Sequence, residues 1–340
     1  MSLPTHFPLK AADGKTIEIP SVGFGTWQAS EGTWCKDAVL TALNAGYRHL
    51  DCAWMYGVDK EIGEAIRESG IPREEIFITS KFWPHFAAPE NVELCLDLVL
   101  KGMGLDYIDL WLIHWPYAAK PTSRAALEVA VGGSTSTDDQ MAIAKEGGTP
   151  VIDWEHTPAR IAKAKGKQGS FAPTWAAMEK LVNKGKTRTI GVSNFSIGDL
   201  KEILSYVEDI PISNNQIEVH PWLPQNELIA FGNEHGILTT CWSPFAGQKS
   251  DGATLLKDAA VIKLAEKSSM DVGQLLQSWA VQRGTVPLGK SGTPDRIKSN
   301  LKIRKLSDEA MKALDSLALP KNQGRTTDPS EDWDLPLFED

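Results

Sequence analysis

Four side chains of different chemistry lie at or just after three consecutive predicted strands. Asp51 and Lys81 end the second and third strands, Tyr56 follows Asp51 in the next loop, and His114 ends the fourth strand. An ammonium group near a phenol stabilises the phenolate, and so lowers a pKa that is ordinarily about 10. A carboxylate keeps that ammonium charged, and a neutral imidazole can orient an oxygen through a hydrogen bond. These residue types suit proton donation to an oxygen that gains negative charge.

Each of these residues has a purely structural explanation when it is considered alone. Asp51 and Lys81 could form a buried ion pair, Tyr56 could be a surface aromatic, and His114 could be a structural histidine. Their convergence on neighbouring strand ends changes this, because stability poorly explains a buried charge pair beside a phenol and an imidazole. We therefore expect a functional site here.

The elements that position these residues alternate between strand and helix. An N-terminal β-hairpin with Asp13-Gly14 in its turn comes first, and eight strand–helix units follow. Alternating units of this kind predict a parallel sheet, and eight of them predict a closed (β/α)₈ barrel with its activity at the C-terminal strand ends. The alternative is an open doubly wound sheet, which requires a GxGxxG turn after its first strand. The nearest candidate, at residues 23–25, lacks the third glycine.

One long segment interrupts the alternation. Residues 118–170 carry Ala, Gly, Ser, Thr and Lys without sustained periodicity, which predicts an extended loop. A loop of this length in a compact domain is usually functional or disordered. We expect residues 1–340 to form a single domain with this extended loop and a C-terminal tail loop at 320–340.

The composition limits the classes of protein that remain. The chain has 340 residues, of which 42% are hydrophobic and 23% charged, and its formal net charge of −9 argues against a general nucleic-acid binder. No run approaches 18 apolar residues, and the first residues lack a secretory pattern, so we expect a cytoplasmic protein without a membrane partner. Four scattered cysteines without metal-ligand spacing predict reduced thiols and no metal site.

The sequence around these residues resembles the aldo-keto reductase family over nearly the whole chain. The order and strand-end placement of the matching motifs make the resemblance specific. These motifs are GFGTW (23–27), GYRHLDCAWMYG (46–57), ITSKFW (78–83), LIHWP (112–116), GVSNF (191–195), NQIEVHP (215–221) and GKSGTPDRIKSN (289–300). The resemblance implies a (β/α)₈ barrel whose floor is plugged by the N-terminal hairpin. It also implies a catalytic tetrad of Asp51, Tyr56, Lys81 and His114, in which Tyr56 donates the proton during carbonyl reduction.

The resemblance further implies an NADPH cofactor that lies extended across the barrel rim. The positions that match the family's cofactor site are Thr26, Trp27, Asp51, Ser193, Asn194, Gln216, Trp242, Ser243, Phe245, Gly247, Lys290, Ser291, Thr293, Arg296 and Asn300. Trp242 stands where the family usually has a Tyr stacked on the nicotinamide ring. Arg296 favours NADP over NAD, because a guanidinium binds a phosphate with two charge-assisted hydrogen bonds. The chain departs from the family at Gly289, where a Pro usually precedes the residue that matches Lys290.

The substrate pocket implied by the resemblance is largely aromatic. It comprises Trp27, Met55, Tyr56, Trp83, His114 and Trp115. Twelve Trp outnumber ten Phe and five Tyr, which indicates either unusual core packing or an aromatic-lined cavity. The sequence as a whole is similar to those of fungal reductases of aldoses, glyceraldehyde and uronates. We therefore expect a small-molecule carbonyl substrate, and a monomer or weak dimer.

Two other classes of protein remain as alternatives. Some barrels of this family bind partner proteins, so the chain could be a cofactor-binding regulatory subunit without a physiological carbonyl substrate. A barrel lyase or aldolase that uses Lys81 as a Schiff-base nucleophile is the second alternative. The intact tetrad favours the reductase over the regulatory subunit.

Overall fold

The strands form a closed parallel barrel with helices between successive strands. The computed structural model describes residues 2–27, 34–133, 135–207, 209–247, 249, 252–320 and 323–338. In chain order the strands are β1 (His6–Lys10), β2 (Thr16–Pro20), β3 (Gly23–Gly25), β4 (His49–Asp51), β5 (Phe77–Phe82), β6 (Ile108–Ile113), β7 (Lys145–Glu146), β8 (Thr149–Pro150), β9 (Thr187–Ser193), β10 (Asn214–Glu218), β11 (Leu238–Trp242) and β12 (Val286–Gly289). The barrel closes in the order β3-β4-β5-β6-β9-β10-β11-β12, which confirms the predicted fold.

The described residues contain thirteen α-helices, and the longer ones between barrel strands cover the outside of the barrel. The helices are α1 (Trp34–Ala45), α2 (Asp59–Ser69), α3 (Pro89–Met103), α4 (Arg124–Leu127), α5 (Asp138–Met141), α6 (Ala159–Ala164), α7 (Ala172–Asn183), α8 (Ile197–Leu204), α9 (Asn226–His235), α10 (Ala259–Lys267), α11 (Val272–Gln282), α12 (Pro294–Asn300) and α13 (Asp308–Asp315). Local sequence sets several of their ends: a capping box of Ser196 and Asp199 begins α8, and Gly104 in the left-handed region ends α3. None of the helices in the described part of the chain is long and apolar enough to cross a membrane.

The barrel strands are buried on both faces, because helices cover the outside and side chains fill the inside. All six residues of β6 are buried, including Trp111, and this explains its almost uninterrupted apolar sequence. The parallel register pairs Asp51 with Thr79 and Lys81 with Leu112. The C-terminal ends of neighbouring strands therefore meet at one rim, as the position of a barrel active site requires.

The N-terminal hairpin closes the opposite end of the barrel. Strands β1 and β2 pair antiparallel, and Leu9 and Ile19 are completely buried against the interior residues Leu110, Leu112 and Val286. The turn is a short 3₁₀ segment in which Asp13 takes a left-handed conformation with φ of 58°. The hairpin thus supplies apolar side chains that fill the barrel floor.

The segment at residues 118–170 is more structured than the sequence predicts. It contains the helices α4, α5 and α6 and the β7–β8 pair. Two of these helices span only four residues, which is too short to show hydrophobic periodicity. Residue 134 of this segment, and residues 321, 322, 339 and 340 of the C-terminal tail, lie outside the described residues.

The plugged floor leads to a prediction about stability. Leu9→Ala should lower the free energy of unfolding by about 2–5 kcal/mol, because it leaves a cavity against the barrel interior. Denaturant unfolding followed by circular dichroism measures this change. Val129→Ala is the control, because Val129 is 75% exposed and its truncation should cost less than about 0.5 kcal/mol. Equal losses in the two variants would contradict a structural role for the hairpin.

Candidate active site

The ammonium group of Lys81 is the centre of the rim. Lys81 is completely buried, and its Nζ donates to both carboxylate oxygens of Asp51, at 3.0 and 2.9 Å. Nζ also donates to the backbone oxygen of Cys52 at 2.8 Å and to the Tyr56 hydroxyl at 3.3 Å. Burial alone lowers the pKa of Lys81, but the Asp51 charge and the hydrogen bonds to Asp51 and Tyr56 outweigh this effect and raise that pKa overall. Lys81 therefore stays charged at neutral pH.

Two neighbours fix the carboxylate that faces Lys81. The amide of Gln216 donates to Asp51 Oδ1 at 2.7 Å, and the hydroxyl of Thr26 donates to the Asp51 backbone oxygen at 2.9 Å. Thr26 is completely buried, and its hydroxyl is already engaged behind Asp51. Thr26, a predicted cofactor residue, thus helps to position Asp51 in the ion pair.

The Tyr56 phenol is oriented by Lys81. Tyr56 lies at the end of a short 3₁₀ turn, residues Trp54–Tyr56, directly after β4. Because an ammonium can only donate, the Tyr56 oxygen accepts, and its own proton is free to point elsewhere. The ring of Trp27 lies 5.1 Å from the Tyr56 ring, between centroids.

The expectation that the pKa of Tyr56 is lowered is wrong for this structure. Burial raises that pKa to about 12, and it outweighs the opposite effect of the Lys81 charge, while the Asp51 charge raises the pKa further. The phenol is therefore protonated at neutral pH and can act as an acid. The residue types predict correctly that Lys81 lowers the pKa of Tyr56. They do not predict how strongly burial raises it.

His114 follows β6 beside this phenol. Its ring centroid lies 5.9 Å from that of Tyr56 and 5.0 Å from that of Trp83. Burial, with a smaller contribution from the Lys81 charge, holds the pKa of His114 well below its usual range. The imidazole is consequently neutral, as predicted, and can orient a carbonyl without supplying a charge.

These groups open into a cavity of about 580 Å³. The six predicted substrate-pocket residues all line it, namely Trp27, Met55, Tyr56, Trp83, His114 and Trp115. Trp242 also lines it, whereas Trp111 and Trp279 are completely buried elsewhere. The tryptophan excess thus has two separate causes, an aromatic cavity and core packing.

One edge of the cavity carries a hydrogen-bonded set of polar side chains. Asn194 Nδ2 donates to the His114 backbone oxygen at 3.0 Å, and the Trp242 indole donates to Asn194 Oδ1 at 2.9 Å. The Ser193 hydroxyl donates to the Gln216 backbone oxygen at 2.8 Å. Because the Gln216 amide nitrogen is engaged with Asp51, its Oε1 is left to accept from a ligand. The set joins β6, β9, β10 and β11 around one end of the cavity.

The predicted cofactor residues that follow β11 and β12 divide into two groups. Ser243, Phe245 and Lys290 line the cavity, and Gly247 lies just beyond its lining. The remaining predicted residues lie outside that lining: Ser291, Thr293, Arg296 and Asn300. Arg296 is exposed on α12. Asn300 is nearly buried, and its side chain lies so close to Gly273 that a Cβ there would come within 2.3 Å of it.

Gly289, the departure from the family pattern, has a steric explanation. A Cβ at this position would lie 2.6 Å from Gln277 Oε1 and 2.9 Å from the Phe245 ring. Because Gly289 has no Cβ, Phe245 can pack directly on the β12 backbone beside Lys290. The Lys290 ammonium lies 4.7 Å from the centroid of the Trp34 ring.

Part of the cavity wall could not be predicted from the sequence. Pro244, Ala246, Leu288 and Thr327 also line it. Behind the wall, Trp333 packs on Trp83 at 5.9 Å and on Trp115 at 5.1 Å between ring centroids. Thr327 and Trp333 come from the C-terminal tail, and Trp333 is more than 200 residues from Trp83 and Trp115 in the sequence. Local patterning cannot predict such a contact.

Comparison with known proteins identifies the family to which this barrel belongs. The model of the Aldo/keto reductase family matches residues 21–319. The chain belongs to this family, which confirms the resemblance and favours an enzyme over a regulatory subunit. No group of three or more His, Cys, Asp or Glu in the described ranges could hold a metal ion.

Named relatives and solved structures match along most of their length. The chain is 40% identical to glycerol 2-dehydrogenase (NADP(+)) of Saccharomyces cerevisiae, over 92% of each chain. It is 41% identical to aldehyde reductase YPR1 of the same yeast, over 94% of each chain. The aldose reductase structure from Giardia lamblia superposes with a TM-score of 0.79 at 32% identity, covering 94% of this chain and 98% of that one.

The buried ion pair gives a prediction about stability. Asp51→Asn should lower the free energy of unfolding by roughly 3–5 kcal/mol at neutral pH, because it leaves the Lys81 charge buried without its partner. The folded pKa of Lys81 is raised, so the contribution of the pair is complete below about pH 10 and disappears as the pH rises through the folded pKa. Urea unfolding between about pH 6 and pH 9 should therefore give a constant difference.

Asp97→Asn is the matched control for this prediction. Asp97 pairs with Lys186 at 2.5 Å on the surface, where its side chain is 49% exposed. Loss of such a pair should cost only about 0–1 kcal/mol. Similar losses in both variants, or a difference that grows as the pH falls from 9 to 6, would contradict the role given to Asp51.

Proposed function

We propose that the protein catalyses the reversible, NADPH-dependent reduction of a small aldehyde, sugar or uronate carbonyl to the alcohol. Tyr56 donates the proton, Lys81 and Asp51 hold Tyr56 in place, and neutral His114 orients the carbonyl. The whole chain acts as one domain in this proposal. The observation that carries it is the Tyr56 hydroxyl, which accepts from Lys81 Nζ at 3.3 Å and opens into an aromatic cavity beside His114.

The residues of the rim account for the proton transfer. The Tyr56 proton points away from Lys81, because Nζ donates to the phenol oxygen. As negative charge develops on the substrate oxygen, Tyr56 donates this proton, and the buried Lys81 charge stabilises the phenolate that remains. Asp51 keeps Lys81 charged throughout. In the reverse direction the pKa of about 12 means that Tyr56 must first lose its proton, so alcohol oxidation should become faster as the pH rises.

The donors and acceptors at the cavity edge suit a nicotinamide cofactor. Gln216 Oε1 is left to accept from a carboxamide, and Ser193 and Asn194 lie beside it in the same hydrogen-bonded set. Trp242 lines the cavity next to them and offers a flat ring for stacking. A bound NADPH would supply the hydride. Ser243, Phe245 and Gly247 would lie along its diphosphate. Lys290, Ser291, Thr293 and Arg296 would hold its 2′-phosphate, and Asn300 would bind its adenine.

The cavity walls support a substrate of modest size with an apolar carbon skeleton. Trp27, Trp83 and Trp115 give apolar faces on which the carbon skeleton of an aldehyde or a sugar can pack. The names of the yeast relatives refer to glycerol and to aldehydes, and both compounds fit a cavity of about 580 Å³. These observations support a broad preference for small carbonyl compounds.

The environment of Lys81 argues against the lyase alternative. A Schiff base requires an accessible, uncharged amine, but Lys81 is completely buried and donates to Asp51, Cys52 and Tyr56. Lys81 also does not line the cavity. Borohydride with a carbonyl substrate should therefore not label Lys81.

The proton donor provides the central test of the proposal. Tyr56→Phe should reduce the rate of NADPH-dependent aldehyde reduction by about 10²–10⁴-fold, because it removes the acid and keeps the ring. NADPH absorbance with a panel of aldehydes measures the rate, and quenching of tryptophan fluorescence measures NADPH binding, which should change little.

Tyr107→Phe is the control for this substitution. Tyr107 precedes β6 at the opposite end of the barrel, where it packs on the Arg73 guanidinium. This variant should retain wild-type turnover. Turnover close to wild type in Tyr56→Phe would exclude Tyr56 as the acid.

The cofactor preference depends on Arg296 in this proposal. Arg296→Ala should weaken NADPH binding about tenfold or more and leave NADH binding nearly unchanged, because only NADPH carries the 2′-phosphate. Dissociation constants from fluorescence titration give the ratio for the two cofactors. Lys298→Ala, on the same exposed helix, should change this ratio much less. An unchanged ratio in Arg296→Ala would remove Arg296 from the phosphate site.

A further inference from the structure

The loop that follows β11 forms one wall of the cavity in a strained backbone conformation. Its residues Ser243, Pro244, Phe245 and Ala246 line the cavity. Ser243 and Ala246 have φ of 48° and 55°, in the left-handed region that non-glycine residues rarely adopt. Such a conformation persists only where surrounding contacts hold it. Within the loop, the Ala246 N–H donates to the Ser243 backbone oxygen at 2.9 Å, and contacts from other parts of the chain add to this hydrogen bond.

The hydroxyl of Thr326, in the C-terminal tail, provides such a contact. The Gly247 backbone N–H donates to Thr326 Oγ1 at 3.2 Å. Thr326 Oγ1 in turn donates to Glu218 Oε1, and the Thr326 backbone N–H donates to the same oxygen at 2.8 Å. The tail thus lies between the loop and the end of β10.

The chain of hydrogen bonds has a fixed direction. A backbone N–H can only donate, so Thr326 Oγ1 accepts from Gly247, and the Thr326 hydroxyl proton points to the completely buried Glu218. The oxygen lone pairs of Thr326 are then available to the Gly247 N–H. His220, also completely buried, places its Nε2 at 2.9 Å from the same Glu218 oxygen and further fixes this carboxylate.

Two more contacts join the same parts of the chain. A Cβ on Gly247 would lie 2.9 Å from Thr326 Oγ1, so the absence of a side chain there allows the close approach. Two residues further on, Lys249 Nζ donates to the Gln323 backbone oxygen at 2.6 Å. Thr327, next to Thr326, lines the cavity itself. The tail and the loop therefore form one continuous wall with Thr326 at their junction.

We propose that Thr326 is a positioning residue that ties the loop at residues 243–247 to Glu218 and thereby slows release of the nicotinamide cofactor. This inference rests on the proposed function, which assigns the cofactor to this cavity. Thr326 itself touches no reacting atom. In this proposal the loop at residues 243–247 lies against the bound cofactor, and Thr326 acts on the loop through the Gly247 N–H that it holds.

Thr326→Val tests the inference, because it removes the hydroxyl and retains the branched shape. Loss of one hydrogen bond of ordinary strength corresponds to an increase of about three- to tenfold in the NADPH dissociation rate constant. Stopped-flow tryptophan fluorescence during displacement of bound NADPH by excess NADP⁺ measures this constant. Thr326→Ser should restore the wild-type value. Ser330→Ala, in the same tail, is the control and should leave release unchanged.

The outcomes separate the inference from the proposed function. If the wild-type protein binds NADPH and reduces aldehydes but Thr326→Val releases NADPH at the wild-type rate, the inference alone fails, and a lowered melting temperature would then mark Thr326 as a structural anchor. If the wild-type protein neither binds NADPH nor reduces aldehydes, the proposed function fails, and the inference fails with it. Thr326→Ala replaces the valine variant if that variant does not fold.

Discussion

The buried charge of Lys81 is the constraint on which the rest of the rim depends. An ammonium that is completely removed from water is stable only if every proton finds an acceptor and an opposite charge lies close. Asp51, the Cys52 backbone oxygen and the Tyr56 hydroxyl meet this requirement. Other hydrogen bonds at the rim hold these acceptors in position. Thr26 and Gln216, for example, serve to keep Asp51 where Lys81 needs it.

Burial and the same charge together shift the pKa values of the two remaining titratable groups. Burial raises the pKa of Tyr56 and lowers that of His114, so both groups are neutral at neutral pH. The Lys81 charge lowers both pKa values. It therefore opposes the effect of burial at Tyr56 and adds to the effect of burial at His114. In the proposed reaction, this one cation would stabilise the Tyr56 phenolate and help to keep His114 neutral. This division of roles requires both rings to lie near Lys81, on adjacent strand ends.

The sequence predicts the barrel and the rim for the same physical reason. Parallel strands alternate with helices at short range, so local hydrophobic patterning identifies them, and their shared direction brings Asp51, Lys81 and His114 to one end. The pKa of Tyr56 could not be predicted, because it depends on a balance between desolvation and charge that only the packed structure fixes. Asn300 shows a similar limit, since its side chain is packed against Gly273 on α11, a contact without any local signal.

The walls of the cavity depend on a different set of interactions from its floor. Arg160, from the long segment after β6, donates two hydrogen bonds to Asp199 and also donates to the backbone oxygens of Pro336 and Leu337. This clamp fixes the tail that carries Trp333 to Trp83 and Trp115. Asp51 and Lys81 lie on barrel strands, whereas this part of the wall is held by polar and aromatic contacts between segments that are distant in the sequence. Substitutions in the tail or in the long segment can therefore change the shape of the cavity without moving Tyr56 or Lys81, and substrate preference can vary on this barrel independently of its proton chemistry.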